Sequence, residues 1–170
     1  MSGLFSFPNP VNETSARIVA SGAVALGLAF ATTGNGWILA ALTYGFVARV
    51  LTGPTLSPLG RLATQVITPR LDLDHKFVPG PPKRFAQGVG AAMSIVASVL
   101  YMQDAVVAAR VVIAGLVCAA FLEAAFAFCL GCKMFSMLMR LGVIPAAVCE
   151  ECSDISSRLR AMNVDQVQPA

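Results

Sequence analysis

Residues 105–134 read AVVAARVVIAGLVCAAFLEAAFAFCLGCKM, thirty positions whose charged side chains are Arg110, Glu123 and Lys133. A bilayer core about 30 Å thick is crossed by about 20 mostly apolar helical residues, so this stretch alone places the chain in a membrane. Three further runs of the same kind occupy residues 16–33, 37–51 and 85–102. The first two are separated only by Gly34-Asn35-Gly36, and the last two only by Gln103-Asp104. Two such tight connections predict two antiparallel hairpins, and hence an all-α integral membrane four-helix bundle over residues 1–144. Gly22, Gly27, Gly88, Gly90 and Gly115 are the positions expected to let the helices approach closely.

The overall composition agrees. Hydrophobic residues make up 56% of the chain and charged residues 12%, and the mean hydropathy is +0.73. A soluble domain carries about 25% charged residues, so this chain has too little charge to coat a globule. Disorder, a secreted disulfide scaffold, a coiled coil and a nucleic-acid binder are excluded on the same ground. Arg17, the apolar residues 18–28 and Ala29-Phe30-Ala31 also match a signal peptide; the reading carried forward is a retained first span.

Orientation follows from the charges between the spans. The two tight connections hold no Lys or Arg, whereas the segment between the second and third runs holds Arg61, Arg70, Lys76, Lys83 and Arg84. Lys133 closes the fourth run, and Arg140, Arg158 and Arg160 follow it. Both termini and the middle segment are therefore expected on the cytoplasmic side. Within that segment Ser57-Pro58 reads as a helix start. After it, Leu59, Leu62, Ala63, Val66 and Ile67 form an apolar stripe opposite Arg61, Thr64, Gln65 and Thr68. This predicts a short helix over 58–69 lying in the membrane interface. Pro79-Gly80-Pro81-Pro82 reads as a rigid turn into the third span. Residues 145–170 are expected to form a cytoplasmic helix and tail.

Cysteines supply the sharpest chemical signal. Cys129-Leu130-Gly131-Cys132 and Cys149-Glu150-Glu151-Cys152 are two Cys-x-x-Cys pairs separated by sixteen residues. If the C-terminal helix folds back on the membrane surface, both pairs meet at one spot, with Cys129 and Cys132 sharing a face at the cytoplasmic end of the fourth helix. Two chemistries suit that spot. One is thiol redox or sulfur relay, with Cys129 and Cys132 as reactive thiols, Cys149 and Cys152 as a second pair, and Lys83, Arg84 and Lys133 stabilising thiolate. The other is a structural zinc site held by all four cysteines, in a non-enzymatic anchor or complex subunit. Glu150 and Glu151 favour metal, because neighbouring carboxylates raise a thiol pKa.

Other polar residues carry weaker readings. Glu123 lies deep in the fourth run, with Arg49 or Arg84 as candidate partners; its alternative is an interfacial carboxylate. Arg49 and Arg110 are expected to snorkel, each near one surface, and Lys83 and Arg84 double as headgroup anchors. Cys118 reads as a small hydrophobe and His75 as a solvated loop residue.

Pro81-Pro82-Lys83-Arg84-Phe85-Ala86 and Cys129-Leu130-Gly131-Cys132-Lys133 resemble the pattern of an uncharacterised family of bacterial integral membrane proteins, a domain of unknown function. Asn12, Arg49 and Ser57-Pro58 extend the likeness, which covers residues 12–135. The resemblance implies a bacterial inner membrane, and partners among thioredoxin-like or sulfurtransferase proteins. A looser likeness, of architecture alone, is to four-helix membrane thiol oxidoreductases that reduce quinones. With so little interior in four helices, a homodimer or membership of a larger membrane complex is also expected.

Overall fold

The computed structural model describes residues 11–70 and 77–143, and the elements there are almost entirely helical. Helix α1 (Glu13–Thr33) is capped by Asn12, whose side chain accepts from the backbone N–H of Thr14 at 2.9 Å and Ser15 at 3.5 Å. It stops at Gly34, where φ is +67° and the N–H donates to Phe30 O. Asn35 then caps α2 (Gly36–Thr52) through Trp37 N–H. Gly34 and Asn35 thus end one helix and start the next.

Ser57 caps α3 (Pro58–Arg61), which runs on as a π-helix over Leu62–Ile67 and a 3-10 turn over Thr68–Arg70. The expected stripe is divided, with Ala63 turned to the protein and the larger Leu62 and Val66 to the exterior. Gly60 and Thr68 are buried as well. A two-residue antiparallel ladder pairs β1 (Val11–Asn12) with β2 (Phe77–Val78), Val11 opposite Val78, and so brings the start of the next helix beside α1.

Helix α4 (Gly80–Met102) starts five residues earlier than the hydropathy of 85–102 indicates, and takes in Pro81 and Pro82. Neither proline breaks it, because the first turn of a helix has no intrahelical use for their missing N–H groups. After a turn in which Asp104 has φ +58°, α5 (Val106–Phe126) runs back. The thirty-residue run does not form one helix. It breaks after Phe126, and α6 (Leu130–Arg140) begins as a separate helix. The segment 145–170, with Cys149 and Cys152, and His75 in the middle loop, lie outside the described residues.

α1 packs on α5, α2 on α4, and α4 on both α5 and α6. Phe30, Leu39, Leu42, Ala97, Ala109 and Ile113 fill the centre, each no more than 2% exposed. Phe46 lies so close over Gly90 that a Cβ there would overlap its ring, whereas a Cβ at Gly88 would meet nothing within 4 Å among the described residues. Thr43 and Ser98 share a 3.0 Å hydroxyl hydrogen bond between α2 and α4.

α1, α4 and α5 are each long and apolar enough to cross a membrane, and between 22% and 28% of their apolar windows is buried by protein. The apolar exterior that remains fits contact with lipid. α2, at 17 residues, is a shorter apolar helix.

Candidate functional site

The break after α5 builds the site. Ala127 adopts a left-handed conformation (φ +55°), and the N–H groups of Ala127 and Phe128 close on the carbonyls of Glu123 and Leu122. Cys129 is then extended and occupies the cap position of α6, with Cys132 in the first turn. This corrects the placement expected from sequence, in which both thiols ride the C-terminal end of a continuous helix. The difference matters for chemistry. A helix C-terminus carries partial negative charge and an N-terminus partial positive charge, and the latter favours thiolate.

α6 is held there by the residues that open α4. A Cβ added to Gly131 would sit 2.5 Å from Ala86 Cβ, so only glycine lets the two backbones approach this closely. Phe85 and Phe135 pack alongside with their rings tilted at 57°, centroids 5.6 Å apart. The two sequence segments quoted for their family likeness are therefore in direct contact.

Lys83, in the same turn of α4, is 7% exposed, and its Nζ lies 2.5 Å from Glu123 Oε1. Glu123 thus has Lys83 as its ion-pair partner, and neither Arg49 nor Arg84. Lys83 lies twenty residues before Gln103 and Glu123 nineteen after Asp104, so the α4–α5 hairpin puts them at one height. Arg84 satisfies the same count but points about 100° away around the helix, and its Nε donates to Val50 O instead.

Arg49 does not snorkel: it is 4% exposed, with Nε donating to Gln87 Oε1 at 2.9 Å, Nη1 to Ser57 Oγ at 3.3 Å, and its guanidinium 4.5 Å from the Phe46 ring centroid. Arg110 is half-buried, and its guanidinium lies against Gly34 in the turn that joins α1 to α2, with Nε buried. Gln87 was missed in sequence, although a lone amide in an apolar run is itself a signal.

Cys129 is buried and Cys132 half-buried, and both are free thiols. They share a cleft of about 450 Å³ with Glu13, Pro82, Lys83 and Lys133. Lys133 Nζ sits 5.8 Å from the Phe128 ring centroid. Cys129 also faces a second crevice of about 250 Å³, mostly apolar, bordered by Phe46, Met93, Leu116, Glu123 and Met134. A hydrogen bond from Cys132 holds the Cys129 thiol below its ordinary range, assisted by Lys83 and opposed by burial and Glu123. The same hydrogen bond, together with burial, pushes the Cys132 thiol far up. The pair is thus asymmetric: Cys129 gives up its proton first. Among the described residues, no group of three or more His, Cys, Asp or Glu side chains is placed to hold a metal.

Fold and site together define a small helical membrane protein with a Cys-x-x-Cys pair at a helix N-terminus beside a buried Lys–Glu pair. The chain belongs to the family described as Domain of unknown function (DUF4395), whose model matches residues 11–140. No curated protein and no solved structure matches the chain.

Proposed function

We propose that this protein performs thiol-redox or sulfur-relay chemistry at the cytoplasmic face of a bacterial inner membrane. In this reading α1, α2, α4 and α5 are four spans of one bundle, with both termini cytoplasmic as the distribution of Lys and Arg favours. The observation that carries it is the thiol pair at the start of α6, with Cys129 at the cap, Cys132 in the first turn and Lys83 on the same cleft.

Cys129 thiolate attacks the outer sulfur of a disulfide or persulfide, and that sulfur–sulfur bond breaks with its electron pair leaving on the departing thiolate. Cys132 then loses its proton and attacks Cys129 Sγ. This releases the bound sulfur as thiolate and leaves a Cys129–Cys132 disulfide. The burial of Cys129 favours a small or extended sulfur donor that can enter the cleft. Cys149 and Cys152 would serve as the second pair, passing the oxidation to a thioredoxin-like or sulfurtransferase partner.

The test is adduct trapping on the full chain in mild detergent. With Cys132→Ser, a persulfide or disulfide donor should leave a stable adduct on Cys129, found by peptide mass spectrometry. In the unmodified chain a Cys129–Cys132 disulfide should form and be reducible. Absence of both products, together with one zinc per chain, would overturn the reading in favour of a structural four-cysteine site.

A further inference from the structure

Helix α6 stands between two different environments. Cys132, Lys133 and Ser136 border the thiol cleft, whereas Leu130, Gly131 and Met134 border the apolar crevice. At 3.6 residues per turn these two sets fall on opposite sides of the helix. α4 packs on both α5 and α6, but α5 and α6 touch little beyond their connection, so the crevice opens sideways between them. Its rim is apolar and exposed at Gly115, Leu130 and Met134. Because α5 is long and apolar enough to cross a membrane, a rim of this kind along it meets lipid.

The crevice is polar at one end only. Gln87, Glu123 and Cys129 border it where α6 begins. From Glu123 it follows α5 back to Leu116 and Gly115, about 12 Å at 1.5 Å per residue, which reaches the middle of that helix. There the wall is Met93, whose Cε lies 3.4 Å from the place a Cβ on Gly115 would take. A molecule with a polar head and an apolar tail matches that gradient end for end.

Cys129 is the one thiol that borders both cavities; Cys132 borders only the cleft. A molecule in the crevice and Cys132 therefore approach Cys129 Sγ from opposite sides of α6. Displacement at sulfur needs that arrangement, with the attacking thiolate on one side and the leaving group on the other.

We infer that the apolar crevice binds a membrane-soluble quinone, which enters from the lipid between α5 and α6 and accepts the two electrons of the Cys129–Cys132 pair. The inference rests on the thiol reading above and adds a second oxidant for the same pair. Cys129 thiolate adds to a ring carbon, forming a carbon–sulfur bond and moving an electron pair onto a ring oxygen. Cys132 loses its proton and attacks Cys129 Sγ; the carbon–sulfur bond breaks and its electron pair returns to the ring. The products are the Cys129–Cys132 disulfide and the hydroquinone. Its two oxygens take up two protons, matching those lost by the two thiols. The tail lies along Leu116 and Met93 towards the middle of the bilayer.

The experiment keeps the reduced full chain in mild detergent under argon and adds decylubiquinone. Peptide mass spectrometry reads the Cys129–Cys132 disulfide, and ultraviolet absorbance reads the hydroquinone; the two should form in equal amounts. Cys132→Ser should form neither. Ala119→Leu, which fills the crevice away from the thiols, should raise the KM for decylubiquinone about tenfold. Val107→Leu, on the exposed far end of α5, should keep the parent value. Should Ala119→Leu not fold, photolabelling of the parent chain with an azidoquinone should mark the α4 and α5 peptides that line the crevice. Labelling confined to other peptides overturns the inference, as does a folded Ala119→Leu with the parent KM. Quinone left unreduced while a persulfide still forms its adduct on Cys129 overturns it too, and leaves the thiol reading standing. No reaction with either reagent overturns both.

Discussion

Lys83 and Glu123, forty residues apart in sequence, meet at 2.5 Å where the first turn of α4 passes the last turn of α5. The contact sets the height of the α4–α5 hairpin at the end where the thiols lie. It also supplies Cys129 and Cys132 with their nearest buried positive and negative groups. Removing one member strands the other charge away from water. Lys83→Met is expected to destabilise the protein by about 3–5 kcal/mol, and the double change Lys83→Met with Glu123→Leu to recover most of that. Reversible unfolding in mixed micelles measures both; a double variant no better than the single one would deny the pairing.

Gly131 is the second fixed point. Because its missing side chain is what lets α6 rest on Ala86, Gly131→Ala should cost about 1–3 kcal/mol through overpacking. Adding Ala86→Gly should recover only part of the loss, because the new Cβ would still lie 2.6 Å from Ala86 Cα. Equal stability of Gly131→Ala and the parent chain would show that α6 docks elsewhere.

The pH dependence of Cys129 follows from the hydrogen bond that Cys132 donates. A thiol whose pKa is lowered becomes thiolate at lower pH, so the rate of Cys129 alkylation by iodoacetamide should reach half its plateau below the usual value of about 8.5. Cys132→Ala removes the largest cause and should move that midpoint up. Lys83→Met should move it up by less. Peptide-resolved mass spectrometry reads each; a midpoint unmoved by Cys132→Ala would show that the donor is not Cys132.

Ala127 holds a left-handed conformation that costs an L-residue roughly 1–2 kcal/mol. Ala127→Gly should therefore stabilise the chain by about 0.5–1 kcal/mol net of the added flexibility, visible as a rise of about 2 °C in the unfolding midpoint. A lower midpoint would mean that this turn is not populated.

Much of the architecture is local and could be read along the chain. A run of apolar residues long enough for a bilayer is visible without knowing its neighbours, and so are the cap at Asn12 and the Ser57-Pro58 helix start. The membership of the family likewise rests on sequence alone.

The site was legible as residue types and not as an arrangement. Cys129 and Cys132 stood out by spacing, but residues 126–130 hold no Gly or Pro to announce a break. An apolar run of thirty residues is satisfied locally by one long helix. What divides it is the seat for α6 on Ala86 and Phe85, forty-five to fifty residues earlier in the chain. The choice of Lys83 over Arg84 as the partner of Glu123 was equally out of reach, since both stand at the right height and helix phase separates them. Sequence alone determined that this chain is a membrane protein carrying paired thiols, because hydropathy and spacing are properties of a segment. Only the tertiary structure decided which end of which helix those thiols occupy and which charges they face. Those depend on packing between segments that no local pattern records.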